Sequence, residues 1–314
     1  MLIDKSKKNS IRKSFGVTLT MLGETNKNIV VMDSDLACST QTIMFGKKFP
    51  ERFFDNGIAE QDMIATAAGL ASEGKIPFVS TFAMFATGRT YDQVRNAVCY
   101  PEFNVKIVGT HGGVTVGEDG ATHQALEDVS LMRGIPNMTV IVPADCKECE
   151  EVIKFAASYN GPMYIRLSRC NVPDVFGEDY KFDLNAKLLC EGNDVTLISN
   201  GETLAEVIDA TNKLQEVGIN AEVLHVPVVK PIDKDAIIKS ATKTNLVVVV
   251  ENHSIIGGLG STVCEVLSEN YPTKVLRIGV NDEFGQSGKS DELVKFYGLD
   301  ADSIVNKVKE LLNK

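Results

Sequence analysis

Short runs of apolar, often β-branched residues alternate along this chain with stretches of helical periodicity. These runs cover residues 29–32, 77–82, 105–109, 139–142 and 163–167, and then 195–199, 221–226, 246–251 and 275–278. Continuously apolar strands separated by helices are typical of a parallel sheet that is covered on both faces. We therefore predict an α/β fold with mainly parallel sheets.

The length of the chain and a change in its composition predict two consecutive domains. The chain has 314 residues, and domains average about 150 residues. Residues 171–185 mix Pro, Asp, Gly and Lys without periodicity, as linkers do. We expect a first domain at residues 1–178, a linker at 179–192 and a smaller α/β domain at 193–314.

The formal net charge of -10 excludes some classes of partner. An acidic protein has no long-range attraction to nucleic acid or to an anionic membrane. The basic residues near the start are followed by no apolar run, so no signal peptide is predicted. No segment approaches the roughly 18 apolar residues of a membrane span. We expect a cytoplasmic protein.

The seven cysteines are widely spaced and odd in number, which favours reduced thiols over a disulfide framework. Cys146 and Cys149 have the spacing of a redox or zinc motif, but no second Cys or His pair accompanies them. Asp145 has the character of a helix N-cap. We therefore interpret this segment as a helix start.

The glycines of Gly257–Gly260 lie between a predicted strand and a predicted helix, as in a dinucleotide-binding loop. The third glycine of that motif would fall at Val263. The segment is therefore predicted to be a tight structural turn.

The loop from His111 to Gln124 is the first candidate site. It contains four glycines, which are costly to order, together with Asp119 and two of the four histidines, His111 and His123. Imidazoles titrate near neutral pH. This composition indicates a chemical role for the loop more than a role in packing.

Other polar and aromatic residues follow predicted strands. Because the carboxyl ends of parallel strands form ligand-binding crevices, Asp35, Phe82, Phe85, His111 and Asp119 could converge on one cleft. Core packing is the alternative for the two phenylalanines, and a turn or helix cap is the alternative for Asp35.

Glu60 opens a helix rich in small residues, in largely nonpolar surroundings. It could be a simple cap that complements the helix dipole. The alternative is a buried carboxylate that shares a proton with a ligand nitrogen.

Several ordered motifs together resemble the thiamine-diphosphate enzyme transketolase. The likeness covers nearly the whole chain and corresponds to the pyrimidine-binding domain of the family followed by its C-terminal domain. The motifs are Gly57–Gln61, Ser80–Phe85, Gly117–Gln124, Pro136 followed by Val142–Asp145, and Leu167–Arg169.

The resemblance implies roles for individual residues. Glu60 would hydrogen-bond the aminopyrimidine of thiamine diphosphate, and Phe85 and Phe82 would stack against that ring. Asp35 would help to hold the central region of the cofactor. His123 would assist proton movements beside the reacting carbon.

The same resemblance implies a substrate side. Arg12, Ser39, His111 and Arg169 match residues that bind the terminal phosphate of a sugar, for which guanidinium groups are well shaped. Asp119 would bind a substrate hydroxyl. Together with Glu60 and His123, His111 is predicted to be catalytic.

Two departures from the family pattern matter. Gly88 stands where an additional aromatic residue is common around the pyrimidine. The chain also lacks the Gly-Asp-Gly motif of the metal and diphosphate site, so no metal ligands are expected here, and Mg²⁺ must be held elsewhere. The resemblance therefore implies the C-terminal subunit of a split transketolase, paired with a separately encoded N-terminal subunit.

Such a subunit would dimerise and form an α2β2 assembly that transfers a two-carbon ketol unit from a ketose phosphate to an aldose phosphate, as in the pentose phosphate pathway. The alternatives are a 1-deoxyxylulose-5-phosphate synthase, a 2-oxo acid dehydrogenase β subunit and a non-catalytic scaffold. His111 and the segment 167–173 favour transketolase. The sequence does not name the sugar, which could carry a non-phosphate anionic end.

Overall fold

The computed structural model describes residues 2–313, which form fourteen strands and twelve α-helices. The strands are β1 (Lys8–Asn9), β2 (Ile29–Asp33), β3 (Phe53–Asp55), β4 (Ile76–Phe82), β5 (Lys106–Thr110), β6 (Thr139–Ile141), β7 (Met163–Arg166), β8 (Val172–Pro173), β9 (Lys187–Cys190), β10 (Val195–Ser199), β11 (Ala221–His225), β12 (Val228–Lys230), β13 (Leu246–Ser254) and β14 (Lys274–Val280). The helices are α1 (Ile11–Thr25), α2 (Ala37–Thr40), α3 (Ile43–Lys48), α4 (Glu60–Ser72), α5 (Tyr91–Gln93), α6 (Asp128–Arg133), α7 (Cys146–Ser158), α8 (Thr203–Glu216), α9 (Lys234–Thr244), α10 (Leu259–Asn270), α11 (Ser290–Phe296) and α12 (Ala301–Leu312). Phe85–Arg89 and Val94–Cys99 are π-helical, and Pro50–Arg52 and Val114–Asp119 are 3-10 helices.

The first sheet has the strand order β12-β6-β7-β5-β4-β2-β3. All of its strand pairs are parallel except β12 with β6. Strands β2 and β5 are buried along their whole length, which explains the apolar residues 29–32 in β2 and 107–108 in β5. The predicted α/β fold with mainly parallel sheets is confirmed.

The second sheet has the strand order β14-β13-β10-β11-β9, and only β9 is antiparallel to its neighbour. Strand β12 follows β11 in the chain but pairs with β6 in the first sheet. One apolar cluster joins Val140 and Tyr164 of the first sheet to Ile198 and Val249 of the second. The two sheets therefore share both a strand connection and a core. The limits predicted for the two domains stay a prediction.

The predicted strands are present, with ends that shift by up to three residues. The Cys146 helix begins as expected, because the side chain of Asp145 accepts a hydrogen bond from the backbone of Glu148. Residues 171–185 are not wholly irregular, since β8 pairs with β1 to form a small antiparallel sheet.

The turn at Gly257–Gly260 leads into α10. The carboxylate of Glu251 accepts hydrogen bonds from the backbone N–H groups of Leu259 and Gly260, at 2.7 and 2.8 Å. The first N–H groups of this helix are thus satisfied by a side chain of the same chain, which agrees with a structural turn. Within residues 2–313, no helix is long and apolar enough to cross a membrane.

Candidate functional site

The candidate site lies at one edge of the first sheet. Strands β7, β5, β4 and β2 are parallel neighbours, so their carboxyl ends meet there. Phe82 ends β4, His111 directly follows β5, and Arg169 follows β7. Residues far apart in sequence are thereby brought to one crevice, as expected for a parallel sheet.

Two phenylalanines and two histidines pack together at this edge. The Phe82 ring stacks on the His111 ring with centroids 3.8 Å apart, and Phe85 stacks on Phe82 at 5.9 Å. The His123 ring meets the edge of Phe85 at 5.4 Å. The structure therefore joins both histidines of the glycine-rich loop to the aromatic pair that follows β4.

His111 is held as a neutral imidazole. Burial, together with the positive charges of Arg12 and Arg169, lowers its pKa from 6.5 to about 3. One ring nitrogen, Nδ1, lies 2.9 Å from the Thr110 hydroxyl. The backbone of His111 has a φ of 60°, which is uncommon outside glycine. The fold thus imposes an unfavourable backbone conformation to place this ring against Phe82.

Glu60 is the first residue of α4, and its side chain is only 2% exposed. Its two carboxylate oxygens accept hydrogen bonds from Nη1 of Arg89, at 2.9 and 2.8 Å. The Arg89 guanidinium in turn lies 4.2 Å from the centre of the Phe85 ring. Glu60 is therefore a buried, paired carboxylate beside the aromatic group, and it does more than cap the helix.

Arg12 joins two further predicted residues. Its Nη1 donates to the backbone carbonyl of Ser39, and its Nη2 donates to the carbonyl of Arg169 at 3.0 Å. Its buried Nε has no hydrogen-bond partner within residues 2–313. Burial and the nearby Arg169 charge lower the Arg12 pKa. Two guanidinium groups beside His111 form a positively charged end of the crevice.

The opposite charge at this end comes from the glycine-rich loop. Glu118, which is exposed, forms an ion pair with Nη1 of Arg169 at 3.3 Å. Loop and strand end are therefore joined by a solvent-facing contact, which contributes little stability.

Asp35 and Asp119 lie on loops at this edge, with exposed side chains. Within residues 2–313, neither side chain has a hydrogen-bond or ion-pair partner. Asp35 also has a φ of 60°, and its backbone N–H donates to Asp55 at 3.0 Å. Both carboxylates therefore face solvent.

Asp33 and Arg89 also lie in this region and were not predicted from the sequence. Asp33 is fully buried and accepts hydrogen bonds from Thr40 and Thr42, and burial raises its pKa to about 6. An aspartate as the last residue of an apolar strand was a signal for it. Arg89 was signalled by its spacing, four residues after Phe85, which places both side chains on one face of a helix.

The arrangement can hold two kinds of group. A buried carboxylate beside stacked rings suits a flat, nitrogen-bearing ring, whereas Arg12 and Arg169 suit an anion. A Cβ at Gly88 would meet only the Met84 methyl group, at 3.6 Å, so this side of the crevice is open. Across residues 2–313, no group of three or more His, Cys, Asp or Glu side chains could hold a metal ion.

Comparisons with known proteins give consistent results. The family model described as the transketolase pyrimidine binding domain matches residues 7–175, and the model of the transketolase C-terminal domain matches residues 184–304. A protein of Methanocaldococcus jannaschii, provisionally named a transketolase C-terminal section, is 51% identical over 97% of this chain and 96% of its own length.

A 6-deoxy-6-sulfo-D-fructose transketolase subunit from a Clostridium species is 42% identical, over 99% of this chain and 97% of its own length. Among solved structures, a split gene transketolase in an inactive beta4 tetramer superposes with a TM-score of 0.90 and 48% identity. That match covers 97% of this chain and 98% of the other.

Proposed function

Because this chain belongs to the transketolase family and corresponds to its C-terminal section, we propose that it transfers a two-carbon ketol unit from a ketose phosphate to an aldose phosphate, together with a separately encoded N-terminal subunit. One observation carries the proposal. The buried Glu60 carboxylate, the stacked phenylalanines and the Arg12–Arg169 pair lie at a single sheet edge. A first region, formed by Glu60 and the phenylalanines, suits a ring, and it adjoins a second region, formed by the two arginines, that suits an anion.

The residues of the first region fit the pyrimidine ring of thiamine diphosphate. The space between Phe85 and Glu60 already holds a flat, nitrogen-bearing cation, the Arg89 guanidinium. When bound, thiamine diphosphate supplies the nucleophilic carbon that carries the two-carbon unit. Glu60 would hold a proton at the pyrimidine nitrogen, Phe82 and Phe85 would orient the ring, and Asp35 would contact the middle of the cofactor.

The second region would bind the sugar. Arg12 and Arg169 would bind the anionic end, assisted by Ser39, and Asp119 would bind a hydroxyl group. His111, as a neutral imidazole, can accept or donate a single hydrogen bond there. His123, partly exposed at the edge of Phe85, would move a proton at the reacting carbon.

The diphosphate and Mg²⁺ would be held by the partner. A diphosphate with its Mg²⁺ requires several oxygen ligands, and the sequence lacks the Gly-Asp-Gly motif of the family's metal and diphosphate site. We therefore propose an N-terminal subunit that carries the Gly-Asp-Gly motif, an α2β2 assembly in the cytoplasm, and a role in sugar phosphate metabolism such as the pentose phosphate pathway. The anionic end of the sugar could also be a sulfonate, as in the name of the Clostridium relative.

The test is reconstitution. The tagged chain would be co-expressed with a candidate N-terminal subunit, purified, and assayed with thiamine diphosphate, Mg²⁺ and a panel of ketoses and aldoses. We expect no turnover by either subunit alone and ketol transfer by the complex. Activity of this chain purified alone would contradict the split-subunit proposal. Condensation of pyruvate with glyceraldehyde phosphate would indicate the synthase instead.

A Glu60→Gln variant distinguishes a catalytic subunit from a non-catalytic scaffold. The variant keeps the size of the side chain but not its acid–base chemistry, so we expect the kcat of the complex to fall by about 100-fold or more. Association of the subunits, followed by size-exclusion chromatography, should be unchanged. Unchanged turnover by this complex would favour the non-catalytic scaffold.

A further inference from the structure

Arg89 contributes the only cation that contacts the buried carboxylate of Glu60 within residues 2–313. A single nitrogen, Nη1, donates to both Glu60 oxygens at 2.9 and 2.8 Å. A carboxylate that is 2% exposed requires such a partner, because an unpaired buried charge is strongly destabilising. In this subunit, Arg89 is the partner of the Glu60 carboxylate.

Arg89 lies where a bound aromatic ring would make its contacts. Its guanidinium is planar, lies 4.2 Å from the centre of the Phe85 ring and donates to Glu60. The aminopyrimidine of thiamine diphosphate would use the same two contacts, a stacked ring and a hydrogen bond to Glu60. Both groups cannot occupy this space together.

The Arg89 side chain also has space to move away from Glu60. Its side chain is 44% exposed, whereas Glu60 is almost completely enclosed. Its backbone is held, since its carbonyl accepts a hydrogen bond from Nε2 of Gln61 at 3.1 Å. The neighbouring Gly88 has no side chain that would confine it. A rotation of the side chain alone can therefore take the guanidinium into solvent.

We propose that Arg89 occupies the aminopyrimidine subsite in the free subunit and that cofactor binding must break its ion pair with Glu60. This inference rests on the proposed function. It also has a chemical consequence. Nη1 of Arg89 occupies both Glu60 oxygens, so Glu60 can hydrogen-bond the cofactor only after Arg89 has left.

The experiment measures cofactor affinity and does not depend on turnover. Thiamine diphosphate would be titrated calorimetrically, with Mg²⁺ present, into the reconstituted complex that contains wild-type chain or Arg89→Met. Methionine fills similar space without the charge. Arg89→Met leaves the buried Glu60 carboxylate without a cation, and the cofactor no longer has to displace one. We therefore expect the Kd of the variant to be lower than the wild-type value by at least about fivefold.

The matched control is Arg95→Met. Arg95 is exposed, and its Nη1 donates to Asn96 at 2.7 Å, so this variant loses the same charge without touching Glu60. We expect its Kd to equal that of the wild type. An Arg89→Met Kd equal to or higher than the wild-type value would overturn the inference. An equal decrease in the Arg95 variant would also overturn it.

A crystal structure of the loaded wild-type complex gives a test that needs no variant. We expect Arg89 Nη1 to lie beyond the roughly 4 Å limit of an ion pair from the Glu60 carboxylate. An intact pair beside bound cofactor would overturn the inference alone. A wild-type complex that binds no thiamine diphosphate would contradict the proposed function as well.

Discussion

His111 shows how strongly a single side chain is constrained in this site. It is 3% exposed, has a left-handed backbone and stacks on Phe82. Its low pKa follows from burial and from the two arginines beside it. The same arginines would attract an anionic substrate, so the features that keep His111 neutral also lie on the proposed substrate side.

The low pKa of His111 predicts a pH dependence of stability. The folded pKa is about 3, against 6.5 for the ordinary side chain, so between these values the unfolded chain binds more protons. Stability contributed by the neutral ring is therefore present above pH 6.5 and is lost as the pH falls. From pH 7.5 to pH 5, we expect this group to reduce the free energy of unfolding by about 2 kcal/mol.

The measurement compares wild type with His111→Asn, because asparagine tolerates a positive φ. Urea unfolding at several pH values would give the difference in the free energy of unfolding, and other titrating groups cancel in it. The difference should change by about 2 kcal/mol in this range and be constant above pH 7.5. A difference that is independent of pH throughout would contradict the assignment.

At the scale of elements, helix α7 connects the two sheets through Glu148. Its carboxylate lies 2.9 Å from Nε2 of His225 at the end of β11, and it accepts a hydrogen bond from the Tyr180 hydroxyl at 2.6 Å. It also accepts the backbone N–H of Ala144 at 2.7 Å. Glu148 and His225 are completely buried. One carboxylate thus joins the first sheet, the connecting segment and the second sheet.

Removing the Glu148 carboxylate should lower the free energy of unfolding. Glu148→Ala leaves the buried His225 ring, the buried Ala144 N–H and the half-buried Tyr180 hydroxyl without their partner. We therefore expect a loss of about 3 kcal/mol in the free energy of unfolding, measured by urea denaturation. Tyr180→Phe, which removes one hydrogen bond, should cost about 1 kcal/mol.

Glu150 provides a matched control on the same helix. Its carboxylate pairs with Lys154 near the surface, and Glu150→Ala should cost less than about 1 kcal/mol. Equal losses for Glu148→Ala and Glu150→Ala would show that the buried network does not connect the two sheets energetically.

At the scale of the whole molecule, the two sheets depend on each other. Strand β12 leaves the second half of the chain to become the edge strand of the first sheet. The Lys230 side chain, at the end of β12, donates to the carbonyl of Arg133 at 3.0 Å. A shared apolar cluster lies between the sheets. Separating the halves would expose that cluster and the edge of β6.

We therefore expect the chain to unfold in one cooperative transition. Urea unfolding followed by far-UV circular dichroism and by tyrosine fluorescence should give coincident curves. A fragment of residues 1–185 should lack a cooperative transition, because it has lost β12 and half of the shared cluster. Two separated transitions in the full chain, or a stably folded fragment, would contradict this expectation.

Local patterns were sufficient for most of the fold. Buried parallel strands are rich in apolar residues, so β2 and β5 could be located from sequence to within a residue or two. The Asp145 cap was also readable, because capping involves residues that are neighbours in the chain. The pairing of β12 with β6 of the first sheet could not be predicted, because the sequence of a three-residue strand does not indicate which strand it pairs with.

For the site, the sequence by itself determined which residue types are available and, through ordered motifs, the family to which they belong. Tertiary structure decided which of them meet. The stacking of His111 on Phe82 and the pairing of Glu60 with Arg89 depend on how the ends of distant elements pack. The side chains of Asp35 and Asp119 are exposed, and their convergence on the same cleft stays a prediction. Local sequence governs backbone conformation, whereas contacts and charge environments arise only when separate segments are folded together, and these set the low pKa of His111.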